Sequence, residues 1–342
     1  MKKTLVAVAA LAAVTGAMAE VTISGFIDQA YNTTRSTTAA GVSTTQTALG
    51  PNAIGQDSLA FGVTEDLGGG LSAFANFNLI GITTTGWGAT GTDNGSGIGL
   101  KGAFGTVSLG QGYSLVWQNT AGSDASGWGT GVGNVHTVGT GFGTPGGGIG
   151  YTLPEFVTGL SASIEMGPGE VDGSRNGNYQ GARVAYSNSG FMISYAMGQY
   201  RSTGAATEWT TAPAVGNIAA AQQAITTGVT SSISSLTMTY DFGAAKVYGG
   251  YNSNQSGGNS NQTANSSTLG ISVPLGAITA GIAASTASYR SAAAATVDVT
   301  GTRLLAKYAF SKRTSAYIQY GTAKISGGAS ATGNGIGLTH SF

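Results

Sequence analysis

The chain has 342 residues, of which 58 are glycine and none is cysteine, and it carries 14 basic and 14 acidic side chains. A charged fraction of 8%, against about 25% in ordinary soluble domains, excludes a typical soluble surface, and the scattering of Lys and Arg excludes a nucleic-acid partner. Absence of cysteine excludes disulfides and thiolate metal sites.

Residues 1–19 carry Lys2 and Lys3, an apolar run from Leu5 to Val14, and Ala17-Met-Ala19. That pattern is a secretory signal peptide cleaved before Glu20. Its apolar core is too short for a bilayer span, which needs about 20 residues. Removing Lys2 and Lys3 leaves 12 basic against 14 acidic groups. No later stretch is long and apolar enough for a transmembrane helix, so a membrane form must cross with strands. Residues 20–342 are expected to form a single domain.

From Glu20 onward, segments of about 9 to 11 residues alternate in character, the length a tilted strand needs to cross the hydrocarbon layer. Leu71, Ala73, Ala75, Phe77 and Leu79 alternate with Ser72, Phe74, Asn76 and Asn78; Leu160, Ala162, Ile164 and Met166 with Ser161, Ser163 and Glu165. The same holds for Leu236 to Phe242 and for Leu304 to Phe310. Alternation alone does not say whether the apolar face meets a protein core or lipid. The connections decide. Seven short ones, near 66–70, 103–105, 153–157, 187–190, 241–244, 274–276 and 310–313, take turns with long ones near 34–55, 82–94, 113–145, 168–177, 201–230, 255–263, 289–299 and 325–331. Tight turns at one end and long loops at the other are the mark of an outer-membrane barrel of about 16 antiparallel strands. Lipid offers no hydrogen-bond partners, so the first strand, from Val21 to about Thr33, must close against the last.

The final strand runs from Gly333 to Phe342. Its reading places Ile336, Leu338, His340 and Phe342 toward lipid and Asn334, Thr339 and Ser341 inward. Asp28, Glu165, Arg183, Asp241, Lys246, Arg303 and Lys307 fall on the polar sides of their strands. They are the candidate pore-lining charges, because a charge facing lipid at mid-bilayer costs about 2 to 4 kcal/mol.

Six pieces, in order and at consistent spacing, carry a resemblance. They are Val21-Thr-Ile-Ser-Gly25 with Asp28, Phe61 to Leu71 with its Glu65-Asp-Leu-Gly-Gly-Gly-Leu71, Phe104 to Gly110 followed by Tyr113, Tyr151 to Gly159, Leu305 to Tyr320, and Gly337 to Phe342. Over essentially its whole mature length the chain resembles the general trimeric porins of Gram-negative bacteria, of the β-proteobacterial type. The resemblance implies an all-β, 16-stranded, water-filled barrel whose third external loop folds into the lumen. By position that loop is about 113–145, with Tyr113, Trp117, Asp124, Trp128 and His136 as candidate constriction residues. It also implies a homotrimer in outer-membrane lipid, passage of small hydrophilic solutes and ions, and a terminal Phe342 read by the outer-membrane assembly machinery.

Departures from the family pattern matter too. Ser58, Gly62 and Gln111 stand where the family places basic residues, so weak charge selectivity is expected. No enzyme activity and no cofactor are expected. Gly141-Phe-Gly143-Thr-Pro-Gly146 matches a dinucleotide fingerprint in form, but no helix pattern follows it. Ser114, Asp124 and His136 could compose a triad, yet such co-occurrence is ordinary in a loop of this composition. The alternative function is a structural or adhesive surface barrel that binds through its 34–55 and 201–230 loops.

Overall fold

The period-two pattern becomes a cylinder of hydrogen-bonded strands. The computed structural model describes residues 19–51, 53–80, 92–125, 132–133, 147–169, 177–201, 230–256, 262–291 and 294–342. The expected leader, apart from Ala19, lies outside them. The strands are β1 Glu20–Thr37, β2 Ser43–Pro51, β3 Ser58–Gly68, β4 Leu71–Ile80, β5 Thr92–Gly102, β6 Gly105–Gly110, β7 Gly148–Thr152, β8 Leu160–Gly167 and β9 Tyr179–Asn188. They continue as β10 Phe191–Arg201, β11 Thr230–Asp241, β12 Lys246–Ser256, β13 Gln262–Leu275, β14 Ile278–Ser291, β15 Ala294–Ala309, β16 Thr314–Ile325 and β17 Ser330–Ser341. A short helix, α1, covers Leu115–Ala121.

Both β2 and β3 pair with β1, one after the other along its length, so these two segments share one place in the wall. The barrel is therefore a closed antiparallel cylinder of 16 places. Closure runs from Phe26 opposite Ser341 to Thr37 opposite Ser330. Gly25 and Phe342 then exchange backbone hydrogen bonds of 3.0 and 3.1 Å beyond the last strand residue. Among the described strands, no edge is left for lipid to meet unpaired.

The outer face is apolar. Ile318, Ile336 and Leu338 are each nearly 60% exposed on the isolated chain, whereas Tyr317, Ala323 and Thr339 on the inner side of the same strands are buried. Near the short-turn rim the outward rings of Tyr240 and Phe242, Tyr308 and Phe310, and His340 and Phe342 pair at 4.5, 5.2 and 6.4 Å. Amphipathic rings of this kind suit the lipid headgroup level.

Three sequence expectations need correction. Asn334 is exposed on the outside with Ile336, because β17 pairs without a bulge and residues two apart share a face. Much of the long connection expected near 34–55 is strand: β1 and β2 pair out to Thr37 opposite Ser43, with cross-strand hydroxyl contacts such as Thr33 to Thr47 at 3.0 Å. Threonine favours extended backbone even where both faces are polar, so a polar segment that reads as loop remains ladder. The expected 289–299 connection is also mostly strand, since β14 runs to Ser291, β15 begins at Ala294, and Tyr289 opposite Val297 packs against a buried apolar cluster with Val299.

Candidate functional site: the lumen and its inward segments

The third long connection turns inward at once. Ser114 caps α1: its Oγ accepts from the Trp117 backbone N–H at 3.1 Å, a standard use of serine at a helix start. The Leu115 N–H donates to the Glu165 carboxylate of β8 at 2.7 Å, and the Tyr179 hydroxyl of β9 donates to the same oxygen. One face of the helix then seals against the wall. Val116 packs with Tyr179, Ala196 and Ile233 in a buried cluster.

Asn119 and Thr120 supply the polar half of this seal. The Asn119 amide donates to the Ser235 carbonyl at 2.8 Å, and its own backbone carbonyl accepts from the Thr237 hydroxyl at 2.7 Å. The Ser194 hydroxyl donates to the Asn119 side-chain oxygen. Thr120 Oγ1 lies 2.9 Å from Asn252 Oδ1. Every anchor is on an inward-facing position of β10, β11 or β12. Buried polar groups are costly unless paired, at about 1 to 3 kcal/mol each, so the seal specifies one docking geometry.

Past α1 the described residues Ser123, Ala125, Val132 and Gly133 press on a lane of glycines, one on each of six consecutive strands: Gly250, Gly270, Gly281, Gly301, Gly321 and Gly333. A Cβ at Gly250 would overlap the Ser123 side chain; at Gly270 and Gly281 it would meet Ala125. At Gly301 it would strike the Gly133 backbone, at Gly321 the Val132 carbonyl, and at Gly333 the Val132 side chain. The Ser285 hydroxyl donates to the Gly133 carbonyl at 3.2 Å. Part of the glycine excess thus serves close approach of one backbone to another.

A second inward segment follows β2. Residues 53–57 leave the wall and pack inside against β1, β15 and β16. The Asp28 carboxylate accepts from the Ile54 and Gly55 N–H groups at 2.7 and 3.0 Å and from the Tyr317 hydroxyl. Asp57 accepts from the Asp28 N–H at 2.6 Å and from the Gln29 amide at 3.1 Å. Arg303 donates to the Ala53 carbonyl, and to Gln319 at 2.8 Å. Ala30, Ala53 and Tyr317 form a small apolar cluster with Ile54 and Leu305 beside them.

The candidate charges therefore divide. Asp28 and Arg303 are on the inner side, at 0% and 1% exposure, but covered by residues 53–57. Glu165 holds the start of α1, and Arg183 Nε donates to Ser194 at 3.0 Å. Asp241 sits at the rim, where it accepts from the Gly243 N–H at 2.7 Å within the turn. Lys246 is paired opposite Asp241 and lies 5.2 Å from the Tyr248 ring centroid. Lys307 is half-buried two positions past Leu305.

Of the constriction candidates, Tyr113 and Trp117 stack at 5.7 Å, and the Asp124 N–H donates to the Ala121 carbonyl at 3.4 Å at the end of α1. Trp128 and His136 lie outside the described residues. Ser114 is buried and used as a cap. The inward 53–57 segment and the polar anchors Asn119, Thr120, Ser194 and Asn252 were not anticipated. Gly50-Pro51 was the available signal for the first, since proline interrupts a strand ladder.

Comparison with known proteins agrees with this geometry. A family model described as Gram-negative porin matches residues 7–328. Major outer membrane protein P.IB of Neisseria gonorrhoeae is 34% identical over 206 residues, covering 57% of this chain and 56% of that protein. The chain thus aligns with little more than half the length of that relative. An anion-selective porin from Comamonas acidovorans superposes with a TM-score of 0.72 at 24% identity, over 95% of this chain and 100% of that one. OmpT of Vibrio cholerae in its trimer form gives 0.71 at 13% identity, over 95% and 99%.

Proposed function

The chain belongs to the Gram-negative porin family, and on that premise we propose that it forms a water-filled outer-membrane channel for passive diffusion of small hydrophilic solutes and ions. One observation carries the reading. The described part of the third connection is held against the inner wall, by the α1 anchors on β11 and by glycines on β12 to β17. Discrete conductance steps from purified barrels in a planar bilayer are expected. A silent bilayer with folded barrels would favour a surface-binding role instead.

The channel discriminates weakly by charge. Asp28 and Arg303, of opposite sign, are buried beneath residues 53–57, and Glu165 and Arg183, also of opposite sign, bond the third connection and the wall, so these four together add no net charge to the path. Reversal potentials in a salt gradient are expected to give permeability ratios within about tenfold of unity. A stronger preference for either sign refutes this, and a strong anion preference would align the chain with the anion-selective Comamonas porin.

The functional unit is a homotrimer in outer-membrane lipid. The broad exposed apolar outer face and the trimer form of the Vibrio neighbour support this. A detergent-solution mass of three chains that falls to one on heating is expected; a single-chain mass before heating contradicts it.

A further inference from the structure

Three steps along β1, from Phe26 to Gln29, face seven on the partner side, from Pro51 to Ser58, so four residues are left over. An even surplus preserves the in-and-out alternation on both sides of the break, so β2 and β3 keep their faces while the surplus is extruded inward. A random insertion would be free to bulge either way. This one is drawn to the lumen side by groups waiting on three other strands.

The anchoring is complete along the segment. Ala53 and Asp57, at its two ends, are 2% and 1% exposed. Between them the Ile54 and Gly55 N–H groups are taken by Asp28, and the Ala53 carbonyl by Arg303. Gly55 has no room for a Cβ, because the Phe26 ring occupies that position. Gln56 is the exception: half-buried, it reaches away from this anchorage, and its side-chain oxygen accepts from the hydroxyl of Tyr113, at the root of the third connection. Two inward segments from different parts of the wall thus touch through one amide and one phenol.

Resting on the channel reading above, we propose that residues 53–57 form a second constriction element, a rigid lip mounted on β1, β15 and β16, with Gln56 at its tip as a specificity-determining residue. The lip and the third connection bound the permeation path together. The buried Asp28 and Arg303 position the lip and do not meet the solute. An uncharged amide at its tip suits hydrated ions of either sign and neutral polar solutes alike.

The test compares wild type, Gln56→Glu, Gln56→Lys and a variant lacking residues 53–56 in planar bilayers with potassium chloride. The two charge variants are expected to move the permeability ratio in opposite directions by about twofold or more, Glu toward cations and Lys toward anions. The deletion restores an unbroken ladder and is expected to raise single-channel conductance. Reversal potentials of both Gln56 variants equal to wild type overturn the proposal, whether or not the deletion variant folds. A folded deletion variant with wild-type conductance also overturns it. A silent wild-type barrel overturns the channel reading itself, and the lip with it.

Discussion

Deleting Phe342 lowers the amount of barrel recovered in the outer membrane by about tenfold, with little change in the conductance of the molecules that insert. The backbone exchange with Gly25 at 3.0 and 3.1 Å is the last rung of the closing seam. Its two hydrogen bonds contribute about 1 kcal/mol each. The Phe342 ring lies where a Cβ of Gly25 would be, so aromatic packing adds roughly another 1 kcal/mol. A loss of this size at the seam acts on assembly, when β1 must find β17. The α1 anchors on β10, β11 and β12 lie on strands away from the seam and stay intact, so pore properties persist. Quantitative blotting of outer-membrane fractions and single-channel recording check the two halves. Wild-type levels of the truncated chain would refute the first, and a halved conductance the second.

Gly321→Val lowers single-channel conductance by about a third or more, because the new side chain forces the third connection off the wall. At this position the Val132 carbonyl lies where any Cβ would be. The wall cannot give way. β16 is paired along its length to both β15 and β17, and moving it would break ladders on two sides. The looser partner is the connection, which moves toward the axis. Overpacking of this kind costs typically 1 to 3 kcal/mol, less than opening the barrel. Gly249→Ala is the control: its Cβ would meet only Leu269 on the outside, at an ordinary 3.6 Å, so conductance and folding are unchanged. Heat-modified gel mobility confirms that both barrels are closed. A folded Gly321→Val barrel with wild-type conductance shows that the glycine lane does not set the path.

Both outcomes depend on features that differ in how far they could be read in one dimension. Strand faces were legible because alternation is local: Leu236, Met238 and Tyr240 declare one side of β11 without reference to any partner. The closing seam was also legible, since lipid forbids an open edge and the apolar alternation runs to Phe342. Asn334 obeys the same rule: it shares the parity of Ile336 and so its outward face. The polar extensions of β1 and β2 were harder, because a ladder with two solvated faces lacks the apolar alternation that marks a strand.

By itself, the amino-acid order determined that this chain forms a strand barrel and which faces of its strands are apolar. Those properties follow from period, turn chemistry and length, all set within about ten residues. Tertiary structure alone decided what the inner charges do. Asp28, Arg303 and Tyr317 are nearly 300 residues apart at the extremes, with Asp28 and Tyr317 separated by 289, and nothing local reveals that they meet beneath residues 53–57. That burial converts candidate selectivity charges into anchors, because pairing register across the closed seam is a property of the whole cylinder.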